Sequence, residues 1–232
     1  MRHLCWDIDG TLLLTNKAGC HALEQAIRDY LHVDGYKFKY SLAGRTDASI
    51  IKDIVTDVRG RCTSGTAAGL MLTYVMNQKK NLKAHEGRLM PNVAETLAYL
   101  EENHGDEFHN CLVTGNATEG ARDKLIEYGI ARYFDFSHSA YGDLAEDRAE
   151  LARIVFQRLY AAGLAQKPED LVFIGDTPND VTCADAIGAR CLIILAGSEY
   201  GPEDFAENRP WKIIEQLPKN PAEFVAMIQD EG

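Results

Sequence analysis

Hydrophobic positions along this chain follow two rhythms. Short unbroken apolar runs (Leu4-Cys5-Trp6, Cys111-Leu112-Val113, Leu171-Val172-Phe173-Ile174 and residues 191–195) read as strands buried on both faces, since a half-exposed strand would alternate. Between them apolar residues recur at helical spacing: Val93, Leu97 and Leu100; Ala121, Leu125 and Tyr128; Leu151, Ile154, Val155 and Leu159. Strand and helix thus alternate, which predicts a parallel sheet covered by helices on both faces. A weak strand is expected near residues 133–136, and a capping box of Asp147 and Glu150 before the helix that Gly163 ends. Residues 198–232 carry four prolines and read as irregular structure with a final helix near 222–228.

Residues 17–88 break the alternation. Helices are predicted over about 17–33, 48–58 and 66–80, carried by Leu23 and Ile27, by Ile50, Ile54 and Val55, and by Leu70 and Tyr74. No strand pattern interrupts them. The expected fold class is therefore α/β: a three-layer Rossmann-like core from residues 1–14 and 90–232, with a small helical domain, 15–89, inserted into it.

Polar residues cluster where the predicted strands end: Asp7 and Asp9, Thr114 and Asn116, Asp176 and Asp180. Open parallel sheets bind ligands beyond the carboxyl ends of their strands. Asp7 and Asp9 are two residues apart, so a regular strand would send both side chains to one face. At 4 Å and an effective dielectric near 20, two such charges repel by roughly 4 kcal/mol. A proton or a hard cation such as Mg²⁺ between them removes that cost. Thr177 suits an N-cap and Pro178 the first helical position, which puts Asp180 in the first turn of a helix beside Asp176. Up to four carboxylates would then share one crevice. A helix terminus offers only about 1 kcal/mol per anion, so a bound divalent cation is the economical arrangement.

The charge of −11 over 232 residues disfavours nucleic acid as a partner, because phosphate backbones select clustered Lys and Arg. The opening residues show no apolar signal region, and the longest apolar run is too short to cross a bilayer, so no membrane partner and a cytoplasmic location are expected. The six cysteines are scattered without a C-x-x-C pair, which argues against a zinc or disulfide framework. The seven histidines show no ligand spacing and read as packing or surface residues.

Asp7-x-Asp9-Gly10-Thr11, Leu112-Val113-Thr114-Gly115-Asn116 and Gly175-Asp176-Thr177-Pro178-Asn179-Asp180 resemble, in order, the first, second and fourth motifs of the haloacid dehalogenase-like hydrolases. The helical insert resembles the C1-type cap of the phosphoglycolate-phosphatase-like branch. The resemblance implies a Mg²⁺-dependent phosphohydrolase acting on a small phosphorylated metabolite. Asp7 would be the nucleophile that takes up the phosphoryl group, and Asp9 the acid and then the base. Mg²⁺ would be held by Asp7, the backbone carbonyl of Asp9, and Asp176, with Asp180 as a further partner. Thr114, with Gly115 and Asn116, would hold phosphate oxygens.

The third motif, a basic residue, departs from the pattern. Lys124 lies inside the preceding helix and Lys167 only a few residues before a strand; Arg148 is the best candidate, with Lys167 or no equivalent as the alternatives. Arg45, in Gly44-Arg45-Thr46-Asp47, stands where related caps carry a specificity loop; it would reach an anionic or hydroxylated substrate or pair with an acid such as Asp47. A sugar-phosphate phosphomutase uses the same chemistry, and a phospho-ligand-binding regulator without turnover is the alternative from another class. Oligomeric state is not legible. Asp9 separates the branches, since halide displacement needs no general acid. Incubation with a 2-haloacid should therefore give no free halide by ion-selective electrode; robust release would overturn the branch.

Overall fold

The computed structural model describes residues 1–230. The apolar runs form a six-stranded, wholly parallel sheet of β1 (Arg2–Trp6), β4 (Phe108–Thr114), β5 (Ala140–Tyr141), β6 (Leu171–Gly175), β7 (Arg190–Ile194) and β8 (Lys212–Ile214). Its order is β5-β4-β1-β6-β7-β8, so the strand carrying Asp7 lies between those leading to Thr114 and Asp176. Leu4 and Trp6 pack on one side with α4 (Val93–His104), α5 (Thr118–Glu127) and α8 (Pro221–Gln229). Cys5 packs on the other with α6 (Arg148–Ala161) and α7 (Pro178–Asp185). The expected three layers are present. Asn110, a polar residue within β4, is satisfied by the buried Trp6 Nε1, which donates to its Oδ1 at 2.9 Å.

Three local expectations fail. Residues 133–136 are not a strand: Asp135 Oδ1 accepts from the Ser137 and His138 amides, folding the chain into a turn, and the pairing falls instead at β5. Strand β8 lies inside the stretch read as irregular, as a short edge strand beside β7. Asp147 does cap α6, accepting from Ala149 N at 2.9 Å, but Glu150 pairs with Arg153 at 3.0 Å instead of closing a capping box.

The short antiparallel pair β2 (Leu13–Leu14) and β3 (Arg88–Leu89) marks where the helical insert leaves and rejoins the sheet region. Helices α1 (Ala18–Ala26), α2 (Asp47–Arg59) and α3 (Ser64–Ala84) enclose their own apolar cluster, with Ile27, Ile51 and Leu70 at its centre. This cluster meets the sheet region along two unlike contacts. At the start of α2, Asp47 N donates to Gly115 O at 2.7 Å and Ala48 N to Gly142 O at 2.9 Å; Thr46 Oγ1 reaches Glu146 O at 2.8 Å. Asp47 Oδ2 accepts in return from Ala117 N at 2.7 Å. Amide groups that a helix N-terminus leaves unpaired are thus satisfied by the loops after β4 and β5. The second contact, α3 against α5, is made close by Gly120, where a Cβ would collide with Gln78. There Asn77 Nδ2 and both polar side-chain atoms of Gln78 are buried without a hydrogen-bond partner among the described residues.

Burial pushes the Asp47 carboxyl up to about 7, against the opposing hydrogen bond from Ala117. A folded-state value above the unfolded one means that protonation favours this packing, and that contribution is lost as pH rises through about 7. The shift is worth on the order of 4 kcal/mol at most. Asp47→Asn keeps a neutral acceptor for the Ala117 amide. Its Tm, relative to the native chain, should rise between about pH 4 and about pH 7, as read by thermal melts; a difference independent of pH would show that Asp47 is ionised in the folded chain throughout.

Candidate active site

The carboxyl ends of β1 and β6 deliver three carboxylates to one place. Asp7 N donates to Ile174 O at 2.8 Å, continuing the ladder one residue past β1 and fixing Asp7 against the sheet. Asp176 follows β6 directly, and Asp180 lies in the first turn of α7. Ligand oxygens of Asp7, Asp176 and Asp180 all lie within 4.8 Å of one another, and all three residues are buried. Thr177 takes the N-cap position of α7 and Asp180 its first turn, as the sequence predicts: Asp180 Oδ2 accepts from Thr177 N at 3.0 Å, Thr177 Oγ1 at 2.9 Å and Asp176 N at 3.2 Å. Gly10, at φ +83°, turns the chain over Asp176 so closely that any Cβ there would occupy the carboxyl group.

Arg148, the first residue of α6, supplies the positive charge. Its Nη2 lies 2.9 Å from Asp7 Oδ2 and also bonds Asp180 Oδ1, so one guanidinium joins two of the three acids. Burial disfavours the charge on Arg148, but Asp180 and Asp7 outweigh it and keep the group protonated. Burial raises the Asp7 carboxyl above its ordinary range even though Arg148 and the neighbouring Thr114 hydroxyl pull it down. Asp176 is raised further, by burial and then by Asp180 and Asp7; its hydrogen-bond donor among the described residues is the Thr11 hydroxyl, at 3.3 Å.

Asp9 does not join this cluster. The chain leaves strand geometry after Trp6 and turns at Gly10, so the expectation that Asp7 and Asp9 share one face fails. Asp9 Oδ2 accepts from Lys124 Nζ at 2.5 Å and Asn116 Nδ2 at 2.8 Å, and Lys124 also donates to Asn116 Oδ1 at 2.6 Å. The Lys124 side chain is 3% exposed, against 44% for that of Asp9. Asn116 Nδ2 further donates to Thr114 Oγ1 at 2.9 Å, linking the second strand tip to the first.

Sequence reasoning misses Lys124 because it sits mid-helix. A signal was available: it falls on the apolar stripe of α5 with Ala121, Leu125 and Tyr128, where a lysine must either snorkel or meet an acid. Lys167 is excluded by position, since it is exposed and precedes β6, at the opposite end of the sheet. Arg45 pairs at 2.7 Å with Asp53, in the second turn of α2, and not with Asp47, which is turned inward to the Ala117 amide. Its backbone carbonyl lies against Gly115, where a Cβ would overlap it.

A cavity of about 800 Å³ separates the sheet rim from the insert. Asp7, Asp9, Asn116, Lys124, Arg148 and Asp176 line its floor, and Arg45, Cys20 and Tyr74 of the insert line its opposite wall. Such a volume suits a small metabolite. Two acids, each backed by its own buried cation, face one space that is rich in charge on the floor and more apolar above.

The model of the haloacid dehalogenase-like hydrolases matches residues 1–188. Phosphoglycolate phosphatase 1 of Pseudomonas aeruginosa is 34% identical over 128 residues, which is 55% of this chain and 44% of that protein. The chain therefore spans less than half the length of that relative. A phosphoglycolate phosphatase of Photorhabdus laumondii is 24% identical over 214 residues, 90% of this chain and 86% of that one. Among solved structures, CbbY from Rhodobacter sphaeroides in complex with phosphate superposes with a TM-score of 0.72 at 16% identity, covering 93% of this chain and 94% of that one; this likeness concerns the fold. Because the family match takes in all three polar strand tips and the helical insert between the first two, the chain belongs to the haloacid dehalogenase-like hydrolases.

Proposed function

We propose that this chain is a Mg²⁺-dependent phosphatase that hydrolyses a small phosphorylated metabolite through an aspartyl phosphate on Asp7. The observation that carries the reading is the pairing of Asp7 with Arg148 in a buried cluster while Asp9, held by Lys124, opens to the same cavity. A binding module would need neither the nucleophile nor the second acid. The names of the relatives, phosphoglycolate phosphatases, support a small phosphomonoester as substrate class.

The acids fit a hard divalent cation. Asp176 is a deeply buried carboxylate with one long hydrogen bond from a hydroxyl, and burial plus two neighbouring acids raise its proton affinity; such a group gains most from a cation. Asp7, Asp176 and the backbone carbonyl of Asp9 would hold Mg²⁺. Both oxygens of Asp180 are already engaged by Arg148, Thr177 and the Asp176 amide, so Asp180 would orient the others more than ligate. Bound Mg²⁺ would offset negative charge on the phosphoryl oxygens.

An oxygen of Asp7 attacks phosphorus as the bond to the leaving oxygen breaks, and Asp9 supplies the proton that oxygen needs. Both bonds to Asp9 fall on Oδ2, which leaves Oδ1 for this transfer. Water then attacks the aspartyl phosphate and gives its proton to Asp9, restoring Asp7 and releasing phosphate. Arg148 stabilises the charge at Asp7 throughout, and the Thr114 hydroxyl with the turn through Gly115 and Asn116 holds the remaining phosphate oxygens. The insert of residues 15–89 acts as a lid that excludes water and meets the leaving group, with Arg45 on its inner wall.

Asp7→Asn should fold normally yet release no inorganic phosphate from an aryl phosphate above background, and Arg148→Ala should lower kcat by about 10²–10³ in the same assay. Native rates in either variant would overturn the assignment. Chelation of divalent cations should abolish turnover and added Mg²⁺ should restore it; activity that persists in chelator would remove the metal from the scheme.

A further inference from the structure

Three histidines that show no spacing in the sequence converge in the fold, at the amino end of the sheet and away from the cavity. His3 and His109 are register partners on β1 and β4, and His138 follows the Asp135 turn. Their partners fix where the hydrogens lie. His3 Nε2 faces the Leu164 carbonyl at 3.0 Å, which only accepts, so this nitrogen carries the hydrogen and a neutral His3 leaves Nδ1 as an acceptor. That Nδ1 lies 3.1 Å from His109 Nδ1, which must then donate. A neutral His109 is left with the lone pair of Nε2 aimed at Asp135 Oδ2, 3.0 Å away. Two electron-rich atoms at that distance repel unless a cation lies between them.

The same Asp135 oxygen lies 2.5 Å from His138 Nδ1. Its other oxygen is fixed by Ser137 N at 2.8 Å, Ser137 Oγ at 2.5 Å and His138 N at 3.3 Å. Two imidazole nitrogens and one carboxylate oxygen therefore meet within 4.8 Å of one another, with the His109 ring backed by His3 and the Asp135 carboxylate by Ser137, whose Oγ also lies 3.2 Å from His138 Nδ1. The side chains of His109, Asp135 and His138 are 22%, 26% and 27% exposed, which leaves one side open to a water ligand.

We propose that His109, Asp135 and His138 bind a borderline divalent cation of the Zn²⁺ class, which ties the turn before β5 to β4. Nitrogen-rich donors favour this class over Mg²⁺, for which the all-oxygen cluster of Asp7, Asp176 and Asp180 is suited. On binding, the cation takes the place of any proton shared by His109 Nε2 and Asp135, and His138 passes its Nδ1 hydrogen to Nε2 or to solvent, so that both rings ligate as neutral imidazoles. Cys111 lies 3.5 Å from His109 Nδ1 on the inner side, but burial keeps its thiol protonated and out of the ligand set.

The test is Zn²⁺ titration by calorimetry in excess Mg²⁺, on the native chain, His138→Gln and Asp176→Asn. The native chain and Asp176→Asn should each take up one equivalent, and His138→Gln should lose affinity by at least about tenfold while keeping its Mg²⁺-dependent activity. In the native chain, NMR of the imidazole nitrogens should show His109 and His138 shifting together as Zn²⁺ is added, a readout that needs no variant. No uptake, with the ring signals unmoved, would mean that a proton alone joins His109 to Asp135 and would overturn the proposal. Uptake that survives His138→Gln and vanishes in Asp176→Asn would overturn it too, placing the ion among the carboxylates.

Discussion

Bringing three carboxylates together below the protein surface is the constraint on which the rest of this site depends. Asp7, Asp176 and Asp180 repel one another, and burial removes the water that would screen them. Arg148 answers this in part: its Nη2 reaches Asp7 and Asp180 at once, so one buried cation faces both acids. Asp176 has no cation beside it among the described residues, and burial with its two neighbouring acids holds its carboxyl well above the ordinary range. The N-terminus of α7 contributes too, since amide and hydroxyl donors hold Asp180 in one orientation.

The second cation divides the labour. Lys124 arrives from the opposite side of the sheet, on α5, and engages Asp9 and Asn116. The two acids of the first motif thus sit in separate electrostatic environments although only Ile8 lies between them. Different environments are what let two carboxyl groups take different parts in one reaction. A buried ion pair adds little stability of its own after desolvation, so Lys124 and Arg148 are better understood as fixing the arrangement than as stabilising the fold.

The sheet and the insert were legible because buried parallel strands and amphipathic helices leave periodic traces, and because three polar clusters coincided with strand ends. The rest was hidden by what periodicity does not record. Strand β8 is a short edge piece inside a proline-rich stretch, and its membership is decided by pairing with β7. Glu150 had the right offset for a capping box, yet Arg153 one turn on offered an opposite charge. Position within a helix says little about Lys124; what matters is the buried face of the helix it occupies. Arg45 had two acids within reach, and the nearer in sequence, Asp47, was already committed to the Ala117 amide. The histidines are far apart in the chain: His3 meets His109 because β1 and β4 are neighbours, and the Asp135 turn brings His138 beside them.

The two seams that hold the insert to the sheet region differ in kind. Near the start of α2, backbone groups and the Asp47 carboxylate interlock with the loops after β4 and β5, and parting them strips each of its mate. Along α3, Asn77 and Gln78 are stranded while the seam is shut, a deficit of about 1–3 kcal/mol for each such group that entering water would repay. The molecule is thus built like a shell with a firm hinge and a reluctant clasp: of its two edges, only the one at α3 and α5 keeps polar groups that water would serve better.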